Sequence, residues 1–167
     1  MASDELTPAG DYALTTIING QVIVAGMTPK NGRTLVRTGR LGAEIDLAEG
    51  RRLAGIAAER ATTAARTAAQ EAGSTLGTQA QVTVYVAVTG SFTAISEVAD
   101  GATPIWKQHL GALPVRVAVG VARLPSDAPI EIALTAALQP KTALTTTHGN
   151  RQPPGPKHSE SALKPTR

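Results

Sequence analysis

The sequence predicts one α+β domain in which a mixed β-sheet carries two helices on one face. Strand-like segments rich in Val, Ile and Thr alternate with helical segments in the order β-β-(β)-α-β-α-β-β. A chain of 167 residues is long enough to bury one core. Hydrophobic residues make up 42%, yet only Phe (1), Trp (1) and Tyr (2) are aromatic, so Val, Ile, Leu and Ala must form that core.

Composition divides the chain into three parts. Residues 1–10 read as a flexible lead-in, residues 11–139 as the folded domain, and residues 140–167 as a disordered tail rich in Pro, Thr, Ser and Lys. The chain carries a formal charge of +3, of which the tail contributes +4 and the remainder −1. The folded part therefore lacks the basic surface that a nucleic-acid-binding domain normally shows.

The first half of the domain contains two strands and a long helix. Strands are predicted at residues 11–18 and 21–26, because Asn19-Gly20 between them suits a type I′ turn. A short third strand is expected at residues 34–38. Asp46 with Glu49 resembles a capping box that begins a helix at Leu47, and Gly73 stands where a glycine ends one. The alanine stripe of this helix predicts close packing on a β-branched sheet face.

The second half contains a strand at residues 81–88, a loop with Phe92 and Ile95, and a short helix at residues 103–110 that begins near Pro104. Residues 114–138 are then predicted to form a closing hairpin.

Alternation along that hairpin places Arg116 and Glu131 together on the face away from the core. The Val residues of the first hairpin strand are expected to cover the core instead. The side chains on this outer face are too small and too apolar for a surface exposed to solvent, so we expect other copies of the chain to cover it. Its predicted members are Thr83, Tyr85, Ala87, Arg116, Ala118, Gly120, Glu131, Ala133 and Thr135.

A guanidinium and a carboxylate among small residues suit a small anionic ligand. A structural ion pair between Arg116 and Glu131 is the alternative interpretation of the same two residues. The spacing of His109, His148 and His158 matches no metal site, and no phosphate loop or nucleophile elbow is present. Without a signal peptide or a long apolar run, the sequence predicts a cytoplasmic protein with no membrane partner.

The segment PVRVAVGVARLP at residues 114–125, followed by IEI at 130–132, resembles the C-terminal signature of the Rid family, the YjgF-type or liver perchloric-acid-soluble-protein group. The resemblance includes Tyr12 and VIVAGMTP at residues 22–29, and spans about residues 8–138. GRLG at residues 39–42 and a long insert after Phe92 indicate a divergent branch.

The resemblance implies a chorismate-mutase-like fold and a homotrimer with clefts between subunits. Active members hydrolyse 2-imino and 2-aminoacrylate-type acids to 2-keto acids and ammonia without a cofactor. By the family pattern Arg116 holds the substrate carboxylate, Glu131 positions or activates the water, and Tyr12 lines the cleft.

Three cleft positions depart from that pattern. Ala25, beside Gly26, replaces a serine, and Ala118 replaces a cysteine that many deaminating members carry. Asp100 lies near the position of an asparagine, where an acid would repel an anionic substrate or select one that bears an amino group.

The leading hypothesis is therefore a Rid-like enamine/imine deaminase acting on a small carboxylate-bearing metabolite. The alternative is a non-catalytic trimer that binds a small metabolite or a partner protein in the same cleft. A more remote alternative is an endoribonuclease, which the non-basic folded part and the scarcity of aromatic residues argue against.

Overall fold

The computed structural model describes residues 6–141. The expectations for the lead-in and the tail fall largely outside this range. The strands are β1 (Thr15–Ile18), β2 (Gln21–Met27), β3 (Lys30–Asn31), β4 (Thr34–Leu35), β5 (Ser74–Ala87), β6 (Val115–Val121) and β7 (Ile130–Pro140). The helices are α1 (Leu47–Glu71), α2 (Ile95–Ala99) and α3 (Thr103–Leu110). A 3₁₀ turn at Asp100–Ala102 joins α2 to α3.

Five strands form a mixed sheet in the order β1-β2-β7-β5-β6, with β5 and β6 parallel and the other pairs antiparallel. The α+β class is confirmed. One sheet face packs on α1, whose small side chains allow a close approach. The sheet side of this core contains Val22, Val24, Val82, Val84, Val86, Ile130, Ile132 and Leu134, and the helix side contains Leu53, Ala54, Ala57, Ala58, Ala61 and Ala65.

Local signals at the ends of elements are confirmed. The Asp46 carboxylate accepts a hydrogen bond from the Glu49 backbone N–H at 2.8 Å and caps α1. Gly73 follows α1 with φ of 69°, a conformation that favours glycine. Asn19 and Gly20 have φ of 50° and 73°, as a type I′ hairpin turn requires.

Several predicted boundaries are wrong because pairing partners set them. β1 begins at Thr15, and β5 begins at Ser74 because its first residues pair with the end of β7. The predicted third strand is β4, which pairs only with β3 in a separate hairpin. The predicted second helix is confirmed as α3, but the segment before it, expected to be a loop, contains helix α2 and the 3₁₀ turn.

The predicted closing hairpin does not exist. Strand β5 lies between β6 and β7 and pairs with both, so the link from β6 to β7 crosses over β5. The short Pro-rich link predicts a hairpin between β6 and β7. The strand order differs because β5 forms backbone hydrogen bonds along both of its edges, to β6 on one side and to β7 on the other. Strands β6 and β7 are therefore consecutive in the chain but not adjacent in the sheet.

The two faces of β6 are also the reverse of the prediction. Val115, Val117 and Val119 are 72%, 48% and 38% exposed, respectively, on the open face of the sheet. Arg116, Ala118 and Gly120 face the helices, since Arg116 pairs with core residue Val82 and Gly120 with core residue Val86. The physical reason is the close approach of α2: a Cβ on Gly120 would lie 2.7 Å from the Ile95 Cδ1 atom.

Candidate functional site

A cleft of about 340 Å³ lies beside β2 and the start of β7. Four of the residues selected from the sequence line it together: Tyr12, Ala25, Gly26 and Glu131. We call it the Glu131 cleft. It also contains Lys30, Arg60 and Ser126, which no sequence motif indicates. Lys30 in the short strand β3 and Arg60 on the long helix α1 have no sequence pattern that distinguishes them from surface residues.

A bulge in β2 creates the room for Glu131. Val24 pairs with Leu134 and Met27 with Ile132, so Ala25 and Gly26 together oppose a single residue of β7. A side chain at position 26 would collide with the Glu131 carboxylate, which occupies that space. Burial raises the pKa of Glu131 above the ordinary value of 4.5. The carboxyl group is therefore suited to taking up and releasing a proton closer to neutral pH.

Two further groups define the rim of the Glu131 cleft. The ring of Tyr12 is half exposed, and its hydroxyl accepts a weak hydrogen bond from the Ala9 N–H at 3.3 Å. The Arg60 guanidinium reaches across from α1 to the carbonyls of Lys30 and Gly32, both at 3.5 Å, and so connects the helix to the β3–β4 hairpin. The cleft thus combines one carboxyl group with two basic side chains.

Arg116 belongs to a second cluster, on the helix side of edge strand β6. Its Nη1 donates to the Asp100 Oδ1 at 2.7 Å, and its Nη2 donates to the Ser96 hydroxyl at 3.0 Å. Ala118 is on the same side of β6 and packs against the core. We call Arg116, Asp100, Ser96 and Ala118 the Arg116 cluster. The sequence does not indicate Ser96, because its surroundings predict a loop where the structure has helix α2.

Arg116 and Glu131 therefore do not meet within one chain, contrary to the expectation from alternation. Glu131 pairs with Tyr85 on the open face, whereas Arg116 pairs with Val82 on the helix face. The two residues are separated by β5 and by the sheet itself. The alternative of an Arg116–Glu131 ion pair is also wrong, because the partner of Arg116 is Asp100.

Neither cluster resembles a metal centre. Across residues 6–141, His, Asp and Glu side chains nowhere form a group of three that could hold a metal ion. In the same part of the chain no helix has the length and apolar character needed to cross a membrane.

The sequence and fold of this chain are similar to those of a known protein family. The family model described as Endoribonuclease L-PSP matches residues 2–138. Protein Atu1372 of Agrobacterium tumefaciens, of unknown function, is 25% identical over 77% of this chain and 83% of its own, with a TM-score of 0.69. No curated protein matches the chain.

Two E. coli structures share the fold. The YjgF gene product is 26% identical over 78% of this chain and 90% of its own, with a TM-score of 0.51. TdcF, solved with bound serine, is 23% identical with the same coverage and a TM-score of 0.51. With most of the described domain inside the matched region, the chain belongs to the Endoribonuclease L-PSP family, the YjgF/Rid group.

Proposed function

We propose that this protein is a cofactor-free deaminase that hydrolyses 2-imino acids to 2-keto acids and ammonia, at clefts formed between copies of the chain. The main support is the separation of Arg116 from Glu131, since each lies in a partial site that lacks the other. Family membership and the serine bound to the relative TdcF support a small amino or imino acid as the ligand class.

A second copy of the chain can supply the residue that each partial site lacks. Arg116 lies on β6, which is an edge strand within residues 6–141, and the exposed valines of β6 cover the adjoining open face. Exposed β-branched residues in a row favour burial against another sheet. A cyclic trimer repeats one head-to-tail contact, so the Arg116 cluster of each copy would adjoin the Glu131 cleft of the next.

The chemistry follows from the two groups. The Arg116 guanidinium would bind the substrate carboxylate and fix its orientation. Glu131 would orient a water molecule at the C=N carbon, accept its proton as the C–O bond forms, and return a proton to the nitrogen. The new hydroxyl group then gives its proton to the Glu131 carboxylate as the C=O bond forms and the C–N bond breaks. The keto acid leaves, and the departing ammonia takes up that proton and leaves as ammonium. Imines hydrolyse in water unaided, so positioning accounts for most of what the site must supply.

The test is the rate of 2-iminopropanoate loss, with the imine made in situ by an amino-acid oxidase and trapped with semicarbazide. We expect acceleration by wild type, and none by Arg116→Ala or Glu131→Gln. Lys107→Ala serves as the control, because Lys107 is exposed on α3 outside both clusters. Full activity in Arg116→Ala would contradict the proposal.

A mixing experiment tests the shared cleft. Arg116→Ala and Glu131→Gln chains, unfolded together in equal amounts and refolded, would form mixed trimers. Each mixed trimer holds one intact site in three, so about one quarter of the wild-type activity is expected. Activity that stays at the level of the separate variants would show that the two residues do not share a site.

A non-catalytic binding protein is the second candidate, and the structure offers one observation in its favour. The Arg116 guanidinium already has a carboxylate partner in Asp100, and the cleft positions Ala25 and Ala118 carry no reactive group. This candidate predicts saturable binding of serine or 2-ketobutyrate without faster imine loss. RNA cleavage is the remote candidate, and cleavage that survives loss of both Arg116 and Glu131 would indicate a contaminating nuclease.

A further inference from the structure

The ion pair between Arg116 and Asp100 gives the carboxylate-binding position an unusual charge. The 2.7 Å contact joins a side chain that is 24% exposed to one that is 47% exposed. Both charged groups are thus partly exposed to solvent, and they lie within hydrogen-bonding distance of each other. A ligand that reaches Arg116 also reaches Asp100.

Arg116 keeps the capacity to bind a ligand. A guanidinium has five N–H donors, and the contacts with Asp100 and Ser96 use one on each terminal nitrogen. Only one Asp100 oxygen accepts a hydrogen bond from Arg116, and the other accepts none from a described residue. The cluster therefore presents donors and a carboxylate oxygen side by side.

Such a pair discriminates by charge. A monoanion that approaches Arg116 is attracted by the guanidinium and repelled by the Asp100 carboxylate at a similar distance, so the two electrostatic energies largely cancel. A zwitterion can place its carboxylate against Arg116 and its cationic nitrogen against Asp100, so both electrostatic interactions are favourable. A protonated 2-imino acid is such a zwitterion, whereas the corresponding 2-keto acid is a monoanion.

We propose that Asp100 makes this site selective for zwitterionic 2-imino and 2-amino acids over the 2-keto acid product, an inference that rests on the proposed function. During hydrolysis water adds to the C=N carbon, the C–N bond breaks, and the nitrogen departs as ammonium. The keto acid that remains has lost the group that paired with Asp100. Asp100 is a specificity-determining residue that binds the substrate nitrogen and weakens product binding.

The test measures binding rather than turnover. Serine is a stable zwitterion and 2-ketobutyrate a stable monoanion, and calorimetric titration of the full chain gives a Kd for each. Asp100→Asn removes the charge while an oxygen remains to accept from Arg116. We expect wild type to prefer serine, and the Asn variant to shift the ratio of the two Kd values toward 2-ketobutyrate by about fivefold, the scale of a half-exposed pair.

Glu97→Gln is the matched control, because it removes an equal charge from an exposed residue of α2 that makes no hydrogen bond to Arg116. Its Kd ratio should equal that of wild type. Asp100→Ser provides a second neutral variant should the Asn variant not fold. The inference is overturned if the ratio is unchanged in the Asp100 variants, if Glu97→Gln shifts it equally, or if wild type binds neither ligand.

The two proposals fail separately. Imine turnover by wild type together with an unchanged Kd ratio in Asp100→Asn would leave the deaminase standing and remove the role of Asp100. An Asp100-dependent preference for serine without imine turnover would remove the deaminase and leave charge selection in a binding protein.

Discussion

The carboxylate of Glu131 occupies the space that a side chain on Gly26 would fill, across the β2 bulge. The absence of a side chain at position 26 is thus what allows Glu131 to lie back against β2 while remaining in the cleft. The bulge in β2 therefore determines where the carboxylate of Glu131, on the adjacent strand β7, can lie.

Gly26→Ala should therefore displace the Glu131 carboxylate. The new methyl group meets the flexible end of a side chain, so we expect a loss of stability of about 1 kcal/mol. A displacement of about 1 Å at a catalytic group should lower imine turnover by about 100-fold. Gly90→Ala is the control, since an added methyl group there meets nothing within 4 Å. Unchanged turnover in Gly26→Ala would show that the position of Glu131 is unimportant.

The raised pKa of Glu131 predicts how stability depends on pH. The folded chain holds the Glu131 proton more tightly than the unfolded chain, whose value is near 4.5. Its stabilising contribution is complete below that pH and is lost as the pH rises through the higher folded pKa. Glu131→Gln should thus gain stability relative to wild type on going from about pH 4 to about pH 7. Urea midpoints at equal protein concentration test this, and a constant difference would contradict it.

The cap of α1 should contribute measurably to stability. Asp46→Ala removes the acceptor of the Glu49 N–H, and loss of such a cap costs about 1 kcal/mol. Thermal unfolding monitored by circular dichroism measures the effect. Asp11→Ala removes an exposed aspartate outside the helices and should change the midpoint little. Equal midpoints for the two variants would show that the cap is unimportant.

The open face of β6 should carry the contact between copies. Val117 is 48% exposed there, and Val117→Lys would place a charge within a buried interface. We expect light scattering to give a trimer for wild type and a monomer for the variant. Ile17→Lys alters an exposed strand residue that pairs with core residue Val22, hence on the other face, and should leave the mass unchanged. A wild-type monomer would rule out the shared cleft.

Elements with local signals could be predicted from the sequence. Asp46 and Gly73 bound α1 because capping and a left-handed glycine depend on residues within one turn. Asn19-Gly20 defined its hairpin for the same reason. Alternation also identified which residues of β6 share a face, and the family signature identified Arg116 and Glu131 as candidates.

Local residue patterns therefore establish the set of elements, their ends and the grouping of side chains by face. The position of β5 between β6 and β7, and the pairing of Arg116 with Asp100 instead of Glu131, depend on how distant segments pack together. Alternation is a property of one strand, whereas strand order and the choice of covered face depend on pairing and on packing between distant segments. On β6 the close approach of Ile95 to Gly120 directs the small residues inward and leaves the valines outside.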